Sequence, residues 1–440
     1  MTKHAVAITR YREKLGSVRT AVELSGCFDA LKGNEKVFIK PNIGVWTEKT
    51  VFPKWGVITT SRVIEDIVIL LVERGVKDIT IGEGIVTLDP KNTAAAAHAR
   101  IALGYEKLRE RHGVKFVNIF ERPFKKVDIG GGFEVRFNAD ILESDFVVNV
   151  PVLKTHVQAV VSLGMKNLKG VLDIPSRKKC HNPDPEKPLV YVIARLPKVL
   201  PPSATIIDGI YSLERGPGPD GKARRSDIII ASSDMLSADM VGAKVLGHDP
   251  ASVQTLVHAA HAGGRTLDFS DIEIRGEKVG DVASFHEFDF PYNEDRTLHK
   301  KMEAMGVKGL SYRKYDDTMC TYCSVINGAL LMAIMFAWKG EPWDDVEILS
   351  GKKMQPQPGR KKTILLGQCM VNLHKDNPVL NEILPIRGCP PRMDETVEVM
   401  HRAGIKVEPA IFQNVENGLA FFMSKYQNKP EFDESFFTIE

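Results

Sequence analysis

The chain has 440 residues, 43% of them hydrophobic and 26% charged, with 59 Lys and Arg against 56 Asp and Glu. Such a length exceeds one ordinary domain, and a net charge of only +3 argues against a dedicated nucleic-acid binder, which carries a strongly basic face. The longest apolar run, residues 328–338, is about half of what a bilayer-spanning helix needs, and the N-terminus lacks an export signal, so a cytoplasmic location without membrane insertion is expected.

Up to about residue 290, short β-branched runs alternate with helical periods. Residues 5–9 (AVAIT) read as a strand and 18–31 as a helix. Residues 36–40 (KVFIK) form a strand that stops at Pro41-Asn42, because proline cannot continue a central ladder. Thr60 or Ser61 reads as the cap of a helix running to Gly75. Further strands are expected at 78–81, 146–150, 204–207, 228–231 and 272–274. Strands this apolar, separated by helices, imply a parallel or mixed sheet covered on both faces. The expected fold class is α/β, with a large sheet domain over 1–290, a connecting segment over 291–316 and a smaller C-terminal α/β domain over 317–440.

Several strands end in polar or glycine-rich signals (KPN, GEG, DGI, ASSD), and in open α/β sheets ligands gather at the carboxyl ends of strands. The densest such segment is VPVLKTHVQAVVSLGMKNLKGVL, residues 150–172. Lys154 and His156 follow a strand; Lys166, Asn167 and Lys169 lie between Gly164 and Gly170. Ammonium groups, an imidazole and an amide flanked by glycines suit a carboxylate or phosphate; the plainer alternative is a helix with a solvated basic face. Lys40 and Asn42 stand at another strand end. Asp208 follows the run at 204–207 and opens a loop carrying Gly216, Gly218 and Gly221 among prolines. Asp234 reads first as a helix N-cap and then as a substrate or metal ligand. Asp239, inside an apolar helix face, needs a partner, for which Lys154, Lys166 and Lys169 are candidates.

In the last third, Cys320 and Cys323 form a C-x-x-C at the entrance to an apolar helix, Cys369 follows a strand, and Cys389 lies in RGCPP. Thiols at helix starts favour thiolate, and Cys-Pro is a common companion of iron–sulfur ligation. The GCPP step resembles the ligand loop in the cluster-bearing small subunits of nickel–iron hydrogenases and respiratory complex I. The expectation is one [4Fe–4S] cluster on Cys320, Cys323, Cys369 and Cys389. Zinc is the main competitor, although a four-cysteine zinc site usually pairs two C-x-x-C knuckles. Unligated or redox-active cysteines are the third reading.

KPN at 40–42, KTH at 154–156, GMKNLKG at 164–170, the DGI and GPGPDG pieces at 208–221 and the ASSD-x4-D helix at 231–239 together resemble the DUF362 family, a prokaryotic group often associated with iron–sulfur proteins. The resemblance spans roughly residues 5 to 290; it implies the fold and the iron–sulfur association and supplies no reaction. The tightly spaced ferredoxin module of many relatives is missing here. The expected function is an enzyme of anaerobic or microaerobic metabolism that binds a small anionic substrate in a lysine-rich cleft and uses the cluster for electron transfer or Lewis-acid catalysis, with His156, Lys154 and Asp208 in catalytic roles. Lys40, Asn42, Lys166, Asn167, Lys169, Gly216, Gly218, Asp234 and Asp239 would line the substrate pocket. A protein electron donor is a possible partner. The alternatives are a non-catalytic electron carrier or accessory protein and a zinc-stabilised binding protein.

Overall fold

The computed structural model describes residues 3–87 and 92–439, which form two compact units: residues 1–177, 190–289 and 419–440 in the first, and 178–189 and 290–418 in the second. The first unit contains β1 (His4–Arg10), β2 (Lys36–Pro41), β3 (Asp78–Glu83), β4 (Lys115–Asn118), β5 (Phe124–Asp128) and β6 (Glu134–Asn138). It continues with β7 (Phe146–Val150), β8 (Val152–His156), β9 (Val160–Ser162), β10 (Ser203–Glu214), β11 (Lys222–Ser232) and β12 (Ile272–Gly276).

Among the described residues these strands build a ten-stranded sheet in the order β12-β1-β11-β10-β7-β2-β3-β4, with β8 pairing β10 and β9, and a separate β5–β6 hairpin. The run β10-β7-β2-β3-β4 is parallel throughout, so the carboxyl ends of β2, β3 and β7 lie on one edge. Their residues are buried on both faces, as the near-continuous Val and Ile runs require. Pro151 separates β7 from β8; with no N–H to give the ladder, it marks where the chain leaves β2 as a neighbour and continues beside β10. Helices such as Ser61–Glu73 cover the sheet, turning Val63, Ile64, Ile67, Val68 and Leu71 into the core.

That helix begins where its cap permits: Thr60 is extended, and its hydroxyl accepts from the Val63 N–H. Thr60→Ala is expected to lower stability by about 1 kcal/mol, measured as a shift of the urea midpoint.

The region after residue 207 departs from the sequence expectation. What reads as a short strand followed by a glycine-proline loop is a long hairpin, β10 pairing antiparallel with β11 from Thr205↔Ser232 to Glu214↔Lys222. The GPGPDG segment is its turn, and Asp208 lies within a strand. The turn residues masked a strand because Asp, Gly and Ser inside 208–214 score poorly for β-structure, whereas their flanks are buried on both sides.

Residues 419–440 return to the first unit. Phe432 and Phe437 stack on Tyr211 with ring centroids 6.0 Å away in both cases, and Tyr426 and Phe432 pack on Trp55. The Tyr211 hydroxyl donates to the Glu431 carbonyl, and the Tyr426 hydroxyl accepts from the Ala223 N–H.

The second unit holds a four-stranded parallel sheet, β13 (Leu310–Tyr312), β14 (Val346–Leu349), β15 (Lys362–Leu366) and β16 (Glu382–Ile386), in sequence order. The helix Thr321–Ala337 and the helix Met393–Arg402 pack apolar residues against it. The two sheets with their helices bear out the expected α/β class. Among the described residues no helix is long and apolar enough to cross a membrane.

Candidate functional site

The carboxyl edge of β2, β3 and β7 gathers polar side chains that are mostly buried. Lys40, the penultimate residue of β2, is 0% exposed and bonds Glu83 at the end of β3 across 2.8 Å. Glu83 also accepts from the Ile43 and Gly44 N–H groups through Oε2 and from Gly84 through Oε1. Burial pushes the Lys40 ammonium below its usual range, against the opposing pull of Glu83. A buried pair of this kind persists only with its remaining hydrogen-bonding positions filled, and here backbone donors fill them.

Lys154, 3% exposed, arises two residues into β8 and donates to Asn42 Oδ1 at 2.6 Å and to the Val57 carbonyl at 2.7 Å. Burial lowers its pKa to about 7, with Glu83 pulling it up and Lys40 pushing it down. Asn42 Nδ2 donates to Asn167 Oδ1 at 3.2 Å, and Asn167 Nδ2 donates to Asn149 Oδ1 at 2.8 Å and to the Lys40 carbonyl. Lys40, Asn42, Lys154 and Asn167, which lie far apart in the chain, are therefore linked directly.

The segment 164–171 forms the helix Gly164–Asn167 and the 3-10 turn Leu168–Val171. Asp239 anchors its start: its carboxylate accepts from the Gly164 and Met165 N–H groups at 2.7 and 2.9 Å. Backbone groups thus supply the partner that the sequence suggested would be a lysine. Burial raises the Asp239 carboxyl to about 7. At the far end, Gly170 must be a glycine for space, since a Cβ there would lie 2.7 Å from Glu83 Oε1 and 2.8 Å from Lys40 Nζ. Arg177 holds this turn against β3 through the carbonyls of Gly84, Gly170 and Leu172, and stacks its guanidinium over Phe120.

The other expected residues occupy varied positions. His156 is buried, and its Nδ1 accepts from the Gln158 N–H, which leaves the proton of the neutral ring on Nε2. Lys166 and Lys169 are half-buried on the 164–171 segment. Asp208 accepts from the Thr60 and Ile210 N–H groups, and burial raises its pKa. Asp234 caps the helix Met235–Val245 and pairs with Arg265 at 2.6 Å. Gly216 and Gly218 sit in the β10–β11 turn, where the Gly216 carbonyl accepts from Val157. Sequence reasoning missed Glu83, Asn149 and Arg177. The GEG signal at the end of β3 pointed to the first of these, but it reads equally as a turn.

In the second unit the cysteines follow the carboxyl ends of three parallel strands. Cys320 precedes the helix Thr321–Ala337, and Cys323 lies in its first turn; Cys369 is in the first turn of the helix Gln368–His374; Cys389 follows β16. Cys320 is buried, Cys323 half-buried, and Cys369 and Cys389 are exposed. The Cys320 and Cys323 thiols hydrogen-bond to each other, which draws the Cys320 thiol down to about 5 and pushes Cys323 up.

This geometry corrects the expected cofactor. Among the described residues no group of three or more His, Cys, Asp or Glu side chains is placed to hold a metal ion. The [4Fe–4S] cluster on Cys320, Cys323, Cys369 and Cys389 is therefore not supported, nor is the zinc alternative. The thiols feel one another's charge, but Cys320 is buried and Cys369 and Cys389 are exposed, and no three of them form a ligand group.

Residues 37–244 match the family described as a domain of unknown function, DUF362. A thylakoid-associated protein of Synechocystis sp. is 27% identical over 256 residues, covering 57% of this chain and 75% of its own length. Among solved structures, the lactate racemase apoprotein from Thermoanaerobacterium thermosaccharolyticum aligns with a TM-score of 0.33 and 13% identity, over 56% of this chain and 57% of that one.

Proposed function

We propose that the DUF362 domain at residues 37–244 is a catalytic module that acts on a small carboxylate or phosphate by proton transfer, with Lys154 as the proton-carrying group. One observation carries this reading: Lys154 is a buried lysine at a strand end whose pKa lies at about 7 and whose two acceptors, Asn42 and a carbonyl, are both uncharged. A structural lysine is normally satisfied by a carboxylate, as Lys40 is by Glu83. An amine held near neutrality is suited to taking and returning a proton. His156, two residues along the same strand and so on the same face, is the second candidate for proton transfer, and Lys166 and Lys169 supply positive charge for the anion.

The test is calorimetric. An anion bound beside Lys154 favours its charged form, so binding of acetate, malonate or inorganic phosphate at pH 7 should take up as much as about half a proton. Titrations in two buffers of different ionisation enthalpy measure that uptake. Lys154→Met should abolish the uptake and weaken binding about tenfold or more. Equal uptake in the variant, or no binding of any of the three anions, would overturn the assignment.

A further inference from the structure

The cysteine edge of the second unit is a built arrangement that the lysine site does not use. Four thiols on three loops, far apart in sequence, lie at the carboxyl edge of one parallel sheet. The β15 and β16 loops are knitted together: Gln368 N–H donates to the Gly388 carbonyl at 3.1 Å, and Gly388 N–H to Gln368 Oε1 at 3.3 Å. Gly367, at φ +86°, leaves room for the Cys323 thiol, which lies 3.1 Å from where a Cβ would stand. Only glycine combines that backbone conformation with that close approach. Cys320 and Cys323, both free thiols, share the N-terminal end of a 17-residue helix. Positive charge surrounds them: Lys178 donates to Cys389 and lies over the Tyr322 ring, and Lys352 is fixed by the carbonyls of Lys178 and His181.

We propose that this edge is a thiol–disulfide exchange site, in which Cys320 and Cys323 are the electron-donating dithiol and the substrate is an anionic low-molecular-weight disulfide. Residues three apart at a helix start lie on one face, and a C-x-x-C in that position is suited to closing into a disulfide. Lys178 and Lys352 account for the preference for an anionic substrate, and the exposed Cys389 and Cys369 make the edge reachable from solvent. One thiolate of the pair attacks the substrate disulfide, releasing one thiol and leaving a mixed disulfide. The other thiol of the pair displaces the second substrate thiol. Two protein thiols thereby become one disulfide, two electrons reduce the substrate disulfide to two thiols, and the two protons pass to them.

The experiment uses the full chain, reduced and desalted, with one equivalent of the dianionic aromatic disulfide DTNB. A working dithiol releases two equivalents of thionitrobenzoate and retains no label, and peptide mapping then finds Cys320 joined to Cys323. A monothiol releases one equivalent and keeps the other. Cys320→Ser and Cys323→Ser should each slow the reaction by about tenfold or more, whereas Cys369→Ser should still form the Cys320–Cys323 bond. The proposal fails if the four thiols resist DTNB in the folded protein, if the mapped disulfide does not include both Cys320 and Cys323, or if Cys320→Ser reacts as fast as the unsubstituted chain.

Discussion

Replacing Glu83 by leucine should lower stability by about 3–5 kcal/mol, the range for breaking a buried pair and leaving one charge behind. Lys40 is 0% exposed and would keep only the Pro41 carbonyl and Asn167 Oδ1 as acceptors. The loss extends beyond the ammonium, because Ile43, Gly44 and Gly84 each donate a backbone N–H to the same carboxylate. Lys40→Met removes the other partner but leaves Glu83 with those three donors, so it should cost less than Glu83→Leu. Urea midpoints of the two variants measured side by side give the ranking. If Lys40→Met proved the more damaging, the carboxylate would not be the centre of this network.

Lys154→Met should change how stability depends on pH. Burial lowers the Lys154 pKa from 10.5 to about 7 in the folded protein. Between those values the unfolded chain holds the proton and the native state does not, so the native state gains stability as pH rises from about 7 to 10.5, by up to about 1.4 kcal/mol per pH unit. Below about pH 7 both states are protonated and the full cost of the buried charge remains, at most about 5 kcal/mol. Without the amine that slope disappears. Stability of the two proteins at pH 6, 7.5 and 9 should therefore diverge steadily above 7; parallel curves would mean that Lys154 stays charged in the fold and would remove the basis for its catalytic role.

Much of this arrangement could be read from the chain because strand ends announce themselves. The apolar run into Lys40-Pro41-Asn42 and the run into Lys154-Thr155-His156 both break at polar residues, and parallel pairing brings such breaks to one edge, where Lys40, Asn42, Lys154 and Asn167 meet. Glu83 was harder to single out, since a carboxylate between two glycines looks like a turn until the neighbouring strand supplies a lysine. Asp239 was recognised as needing a partner, but no sequence pattern distinguishes a side-chain cation from two backbone N–H groups. The β10–β11 hairpin was hidden because burial, which is set by the rest of the sheet, overrides the low strand preference of Asp208, Gly209 and Ser212. For the cysteines, spacing placed them at strand ends and helix starts, as the structure has them, but carried no information about whether the four side chains converge, and among the described residues they form no ligand group.

The return of residues 419–440 to Tyr211 and Trp55 has a consequence for biosynthesis. Tyr211 and Trp55 emerge from the ribosome more than two hundred residues before the aromatic rings that cover them, Phe432 and Phe437. Until translation reaches those rings, the larger unit carries an uncovered aromatic surface, and a nascent chain halted anywhere in the intervening stretch would present that surface to chaperones and proteases as a mark of incompleteness.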